Sequence, residues 1–240
     1  MTQMTSKLPW RAHVITIFPE MFPGPLAYSL AGQALESKTW ALKALNLRNF
    51  ADNRHKSVDD TPYGGGSGMV MRPDVVGNAI QKASNSDPDL PLVYLTPRGQ
   101  QVNQRMVNEL ARGPGLIVIC GRYEGIDSRV MEAFPGQELS VGDYVLSGGE
   151  PGAISLFDAC VRLLPGVVGD SNSLLEESFE EGLLEYPHYT RPKNWRGLKV
   201  PDILISGHHK NIQRWRQNKS KTITQERRPD LWERYLSRHL

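Results

Sequence analysis

The sequence predicts an α/β protein in which a mainly parallel sheet carries helices on both faces, followed by a small all-helical C-terminal part. Three observations predict it. Short apolar runs alternate with segments of helical period, those runs read as buried strands, and the charge balance changes sign late in the chain. Parallel strands need a crossover between them, so strand–helix–strand succession is the pattern from which such sheets are built.

His13-Val14-Ile15-Thr16-Ile17-Phe18 is the first buried strand, ended by Pro19 and a turn-rich stretch, and residues 29–37 follow as a helix. Residues 40–47 alternate enough for a second strand. The segment 52–69 is a long loop dense in glycine and charge. Ordering it costs conformational entropy, which points to a binding element, with a surface excursion as the other reading. Its His55, Asp59 and Asp60 match no standard metal-ligand spacing, so an Asp-capped turn is expected there. A helix runs from Asp74 to Ala83 just after Pro73, and Leu92-Val93-Tyr94-Leu95 is the next strand. Residues 101–112 place Val102, Met106, Val107 and Leu110 at helical spacing and stop at Gly113-Pro114-Gly115. Strands are expected at 116–120 and at Tyr144-Val145-Leu146. A helix over 154–164 carries Leu156, Phe157, Cys160, Val161 and Leu164 on one face.

From Gly166 the chain turns polar, acidic and weakly patterned. The expected organisation is a domain over residues 1–168, a flexible linker over 169–186 and a helical domain over 187–240. Pro187, Pro192 and Pro201 mark an irregular connector, Ser206 is placed as the cap of a helix running through Arg216, and another helix follows Pro229.

Three of the strands end in turn chemistry, at Thr96-Pro97-Arg98-Gly99, Gly121-Arg122-Tyr123-Glu124-Gly125 and Ser147-Gly148-Gly149-Glu150. Glycines there let backbone NH and CO groups approach a ligand, and crevices at strand ends are where open α/β sheets bind. Neither a dinucleotide fingerprint nor a P-loop lysine motif occurs, which argues against phosphate cradling. Tyr94, Leu95, Tyr123, Val141, Tyr144 and Leu146 offer apolar and aromatic surface beside exposed amides, a lining suited to an adenine ring. Glu124 supplies a carboxylate for ribose hydroxyls or a cationic centre, or else caps a helix starting near Ile126. The tyrosines, equally, are lining or core residues.

The 240 residues, 39% of them hydrophobic, suffice for a real core. The N-terminus lacks the apolar run of a signal peptide and no segment approaches the length of a membrane span, so a cytoplasmic protein with no membrane partner is expected. Cys120 and Cys160 read as small core residues, since two cysteines make no disulfide framework. The net charge of +2 hides an asymmetry: residues 1–180 hold 15 Lys and Arg against 20 Asp and Glu, residues 181–240 hold 13 against 6. That basic segment, interleaved with Trp195, Trp215 and Trp232, has the composition of a polyanion-binding surface; a solvated helical face with inward tryptophans is the alternative.

Blocks at Tyr94-Leu95-Thr96-Pro97, 121–127 (Gly-Arg-Tyr-Glu-Gly-Ile-Asp), 141–150 (Val-Gly-Asp-Tyr-Val-Leu-Ser-Gly-Gly-Glu), 187–192 (Pro-His-Tyr-Thr-Arg-Pro) and Ser206-Gly207-His208-His209 occur in one chain in this order, with 62–69 (Pro-Tyr-Gly-Gly-Gly-Ser-Gly-Met) ahead of them. With these blocks the sequence resembles, over nearly its whole length, the bacterial tRNA (guanine-N1)-methyltransferase family of the SPOUT superfamily. The resemblance implies a trefoil knot at the C-terminal side of the sheet, a rare departure from unknotted topology. It implies S-adenosylmethionine bound at Tyr94, Leu95, Thr96, Pro97, Gly121, Tyr123, Glu124, Val141, Gly142, Tyr144, Leu146, Gly148 and Gly149. It further implies methyl transfer to N1 of the guanine just 3′ of the tRNA anticodon, tRNA as partner, magnesium dependence without nameable ligands, and a homodimer whose active sites are shared between subunits.

N1 of guanine carries a proton that must leave while negative charge builds toward O6, so the reaction needs a base and a cation. The resemblance assigns the base to Glu177, where the family pattern has an aspartate ahead of Ser178-Phe179, and the cation to Arg162. The alternatives are another SPOUT RNA methyltransferase and a non-catalytic RNA-binding protein whose glycine turns are only architecture.

Overall fold

The computed structural model describes residues 8–169 and 177–239, which form two compact units, one ending at Gly169 and one made of the rest. In the first unit, β1 (Trp10–Thr16), α1 (Ser29–Glu36), β2 (Trp40–Asn46), the short pair β3 (Asp59–Asp60) and β4 (Val70–Met71), α2 (Pro73–Ser86), β5 (Leu92–Gln101), α3 (Gln104–Arg112), β6 (Gly115–Cys120), α4 (Ser128–Ala133), β7 (Gln137–Ser140) and α5 (Glu150–Val161) follow in order. The main sheet runs β2-β1-β6-β5-β7 with every neighbouring pair parallel.

Alternation along the central strands explains why both faces are covered. Ala12 and Val14 of β1 and Leu116, Val118 and Cys120 of β6 bury themselves on one side with Leu156, Phe157 and Cys160 of α5. Ile15, Ile117 and Ile119 point to the other side, against Val75, Val76, Ala79 and Ile80 of α2. The helices start where local chemistry caps them. Pro73 opens α2, the Asn103 side chain accepts from Met106 N at 3.1 Å ahead of α3, and the Asp127 side chain accepts from Arg129 N at 3.0 Å ahead of α4. Cys120 and Cys160 are buried free thiols; burial pushes Cys120 well above the usual range and Cys160 up to about 12.

Three local expectations are corrected. Tyr144-Val145-Leu146 is not a strand but part of an exposed loop, with Val145 87% exposed. The strand that fills this place is β7, at the edge of the sheet, where Gln137 and Glu138 are exposed and only Leu139 and Ser140 are buried. Residues 96–99 do not end β5. They form an excursion inside it, because Leu95 and Gln100 both register with Leu139. Ser206 caps no long helix: it closes a 3-10 turn over Asp202–Ile205, donating to Ile203 O and accepting from His208 N.

The second unit holds the two-stranded hairpin β8 (Asn194–Trp195) and β9 (Leu198–Lys199), then α6 (His209–Arg227) and α7 (Pro229–His239). Residues 177–185 fold back as a turn in which Phe179 N donates to Leu183 O at 2.7 Å and Glu185 N to Ser178 Oγ at 3.0 Å. Leu184 N reaches the buried Thr224 Oγ1 of α6 at 2.8 Å.

Candidate functional site

Because β6, β5 and β7 are parallel neighbours, the loops that follow or interrupt them open on one edge of the sheet. The chain leaves β7 on the far side of β5, yet Gly148 bridges to Arg122 just after β6, and Gly149 N donates to Gly121 O at 2.9 Å. Segment 141–149 therefore crosses over the end of β5, beside the 96–99 excursion. The crossing is tight. A Cβ on Gly149 would lie 2.8 Å from Cys120 Cα, which is backbone and cannot swing away.

A buried ion pair fastens the crossing. Glu150, the first residue of α5, is fully buried; it accepts from Arg122 Nε at 2.9 Å on Oε2 and from Thr16 Oγ1 at 2.6 Å on Oε1. The same guanidinium donates to Ser147 O at 3.1 Å and lies 4.6 Å from the Phe18 ring centroid. An acidic residue in the first turn of a helix also meets the positive end of its dipole. The ends of β1 and β6 and the start of α5 are thus tied into one rigid frame.

Around this frame the predicted residues separate into groups. Tyr123 is 50% exposed in a left-handed conformation (φ 60°), and Tyr144 is 57% exposed; together with Leu146 they supply the open aromatic and apolar surface. Burial, and then Asp59, push the Tyr123 phenol above its ordinary value. Leu95 and Val141 are half-buried under α5, within 3.3 and 3.4 Å of where a Gly152 Cβ would stand. Gly142 N donates to Ser140 Oγ, holding the start of the loop. Tyr94 lies in the core instead: its hydroxyl donates to Phe134 O at 2.7 Å and burial pushes it up to about 12, so it offers the edge only its backbone. Thr96 and Pro97 lie in the excursion, next to the edge strand.

Glu124 is joined by a segment distant in sequence. Its N–H donates to Met69 O at 2.9 Å, and a side chain at Gly68 would collide with its carboxylate, so the 62–69 loop lies against it. It does not cap α4, whose cap is Asp127. Asp60 caps Thr61 N at 2.8 Å, and among the described residues no group of three His, Cys, Asp or Glu side chains could hold a metal ion.

Arg162 and Glu177 are carried by elements other than the strand-end loops. Arg162 is the C-cap of α5, twelve residues and about 18 Å along the helix from Glu150. Glu177 belongs to the second unit, where it lines a groove of ≈ 400 Å³ with Glu181, Tyr186, Lys210, Arg214 and Arg216. Of the tryptophans, Trp215 stands 6.2 Å from Tyr189 and Trp232 stacks on Tyr235 at 5.5 Å, both half-buried, while Trp195 is exposed.

Sequence reasoning assigned no role to Thr16, Arg122 or Glu150. Arg122 and Glu150 stood inside the glycine turns, but nothing in the chain marks that residues 28 positions apart share a buried charge.

A model of the family described as tRNA (guanine-1)-methyltransferase TrmD matches residues 10–234. The chain is 60% identical to a tRNA (guanine-N(1)-)-methyltransferase of Rhodospirillum rubrum over 227 residues, 95% of this chain and 94% of that one. It is 56% identical to the one of Rhizorhabdus wittichii over 224 residues, 93% and 91% of the two chains. To the one of Zymomonas mobilis subsp. mobilis it is 53% identical over 229 residues, 95% and 92%. Among the described residues no helix is long and apolar enough to cross a membrane.

Proposed function

The chain belongs to the tRNA (guanine-1)-methyltransferase family, and from that premise we infer that its crossed strand-end loops hold S-adenosylmethionine and direct methylation to the guanine immediately 3′ of the anticodon. It is an enzyme that methylates N1 of a guanine in tRNA. The single observation that carries the cofactor reading is the crossing of 141–149 over β5, locked to Gly121 and backed by the Arg122–Glu150 pair. That path also supports a trefoil knot.

The residues at the edge fit the cofactor. Glycines 148 and 149 bring backbone close where a Cβ would collide, Tyr123, Tyr144 and Leu146 give an open aromatic and apolar lining suited to a purine ring, and Glu124 provides a carboxylate for a cationic or hydroxyl-bearing part. When bound, the cofactor supplies an electrophilic methyl group on its sulfonium. Glu177 accepts the proton that leaves guanine N1, and Arg162 stabilises the negative charge that builds toward O6. Glutamate in place of the family's aspartate keeps the carboxylate and lengthens its reach by one methylene. The groove beside Glu177 and the basic, aromatic second unit support tRNA docking there.

The position of Arg162, a helix length from its own loops, supports a homodimer in which each active site draws on two subunits. Magnesium dependence belongs to this reading through the family resemblance alone, with no ligand assigned to it. A cytoplasmic location accords with a tRNA substrate.

Calorimetry with S-adenosylmethionine and mapping of the methylated nucleoside on unmodified tRNA test the reading. One mole of cofactor per loop cluster and 1-methylguanosine next to the anticodon are expected; a different methylated position would sink the positional assignment. Glu177→Gln should lower kcat by roughly 100-fold or more while leaving cofactor affinity unchanged.

A further inference from the structure

Residues 188–199 form a continuous exposed stretch that the proposed reaction does not use. It contains Arg191, Lys193, Arg196 and Lys199 and no acidic residue, so its charge is wholly cationic. At its centre is the β8–β9 hairpin, in which Asn194 pairs with Lys199 and Trp195 with Leu198. The turn residues Arg196 and Gly197 both have positive φ, 52° and 83°, the geometry that matches the twist of a two-residue hairpin. Val200 N closes the base on Lys193 O at 3.0 Å.

The hairpin displays rather than buries its aromatic residue. Cross-strand partners share a face, so Trp195 and Leu198 project together, 57% and 69% exposed. The Arg196 guanidinium lies over the Trp195 ring, 4.9 Å from its centroid, and the indole still keeps more than half of its surface open. Trp215 and Trp232 are half-buried beside Tyr189 and Tyr235, whereas Trp195, among the described residues, meets the Arg196 guanidinium and no second aromatic ring.

We propose that this hairpin is a stacking platform for an unpaired nucleobase of the tRNA substrate, with Trp195 as the aromatic face and the surrounding cations on the adjoining phosphates. The inference rests on the tRNA-methylating function. An exposed indole among cations is the composition by which single-stranded nucleic acid is held, base on ring and phosphate on ammonium or guanidinium. A protein partner would seek a larger apolar patch, and a bilayer more than two apolar side chains. The turn presets the geometry, so little ordering entropy opposes docking.

The test uses the full-length enzyme and unmodified tRNA. Trp195→Ala should weaken tRNA binding roughly 5- to 100-fold with S-adenosylmethionine affinity unchanged, and Trp195→Tyr should stay within about 3-fold of the parent. Trp195→Leu should behave like the alanine variant, because it restores apolar area but no ring. Tryptophan emission should be quenched by tRNA in the parent and markedly less in Trp195→Tyr. Alanine and parent binding alike would overturn the proposal, as would full rescue by leucine. So would Trp195-dependent binding to phosphatidylcholine–phosphatidylserine vesicles with tRNA affinity untouched, which would assign the hairpin to a membrane. A parent enzyme without tRNA affinity would overturn both this inference and the function it rests on, whereas a failed variant series on an active parent would overturn this inference alone.

Discussion

Strand β1 meets acidic side chains at both of its ends. At its start, Arg11 pairs with Asp87 and Asp89, and His13 Nε2 lies 3.3 Å from Asp87. At its finish, Thr16 donates to Glu150, which Arg122 neutralises. The first cluster joins β1 to the loop entering β5 and touches solvent, Asp89 being half exposed. The second is sealed around its carboxylate, with Glu150 fully buried and the Arg122 side chain 17% exposed, and it clamps the loops that cross at the opposite edge. Similar pairs therefore serve different ends: a partly solvated pair holds an entrance to the sheet, while the sealed pair fixes the backbone geometry at the edge where parallel sheets place their ligands.

Removing one partner of the sealed pair should have the largest effect. Glu150→Ala strands the Arg122 guanidinium and the Thr16 hydroxyl, and the expected loss is about 3–5 kcal/mol of unfolding free energy in urea titrations. Loss of loop geometry should also lower kcat/KM by roughly 100-fold. Asp89→Ala at the other end should stay within about 0.5 kcal/mol of the parent and keep full activity. Equal effects at the two ends would erase the distinction drawn between them.

Gly149→Ala sharpens the same contrast with a smaller change. The new methyl meets Cys120 Cα, so the loop must lift from β6, at an expected cost of about 1–3 kcal/mol and a clear loss of S-adenosylmethionine affinity by calorimetry. An alanine variant with parental affinity would show that the loop does not need this closeness.

How much of this was legible in the sequence follows from which signals are local. β1 runs from Trp10 to Thr16 and not from His13 to Phe18, since Arg11 and His13 break the apolar run at its start, whereas β6 was readable because both of its faces are buried and its apolar run is continuous. β7 was not, because an edge strand with Gln137 and Glu138 outward looks like loop, while Tyr144-Val145-Leu146 looks like strand and is held open at the surface. Turn chemistry at 96–99 was visible, but a turn and an excursion within one strand share the same residues; only the double registry with Leu139 separates them. The Arg122–Glu150 pair and the contact of Gly68 with Glu124 are products of chain crossing, which no periodicity encodes. The basic balance of the C-terminal quarter was plain, yet which tryptophan stays open depends on tertiary partners.

The smallest expected effect separates the two ends by pH. His13 is buried with its Nδ1 unpartnered among the described residues, and it faces Asp87 as well as Lys43 and Arg11. Burial is the largest influence and lowers its pKa below 6.5; Asp87 opposes this and the two cations add to it. A histidine that is harder to protonate when folded leaves the unfolded chain binding more protons, so stability falls as the pH drops through the ordinary value of 6.5 toward the lowered one, and is unaffected above it. Urea midpoints measured from about pH 8 down to about pH 5.5 should therefore decline for the parent and decline less for His13→Gln. Because Asp87 offsets part of the burial, the slope should steepen in Asp87→Asn. A parent midpoint that rises on acidification would mean that the ion pair, and not burial, governs this end of β1.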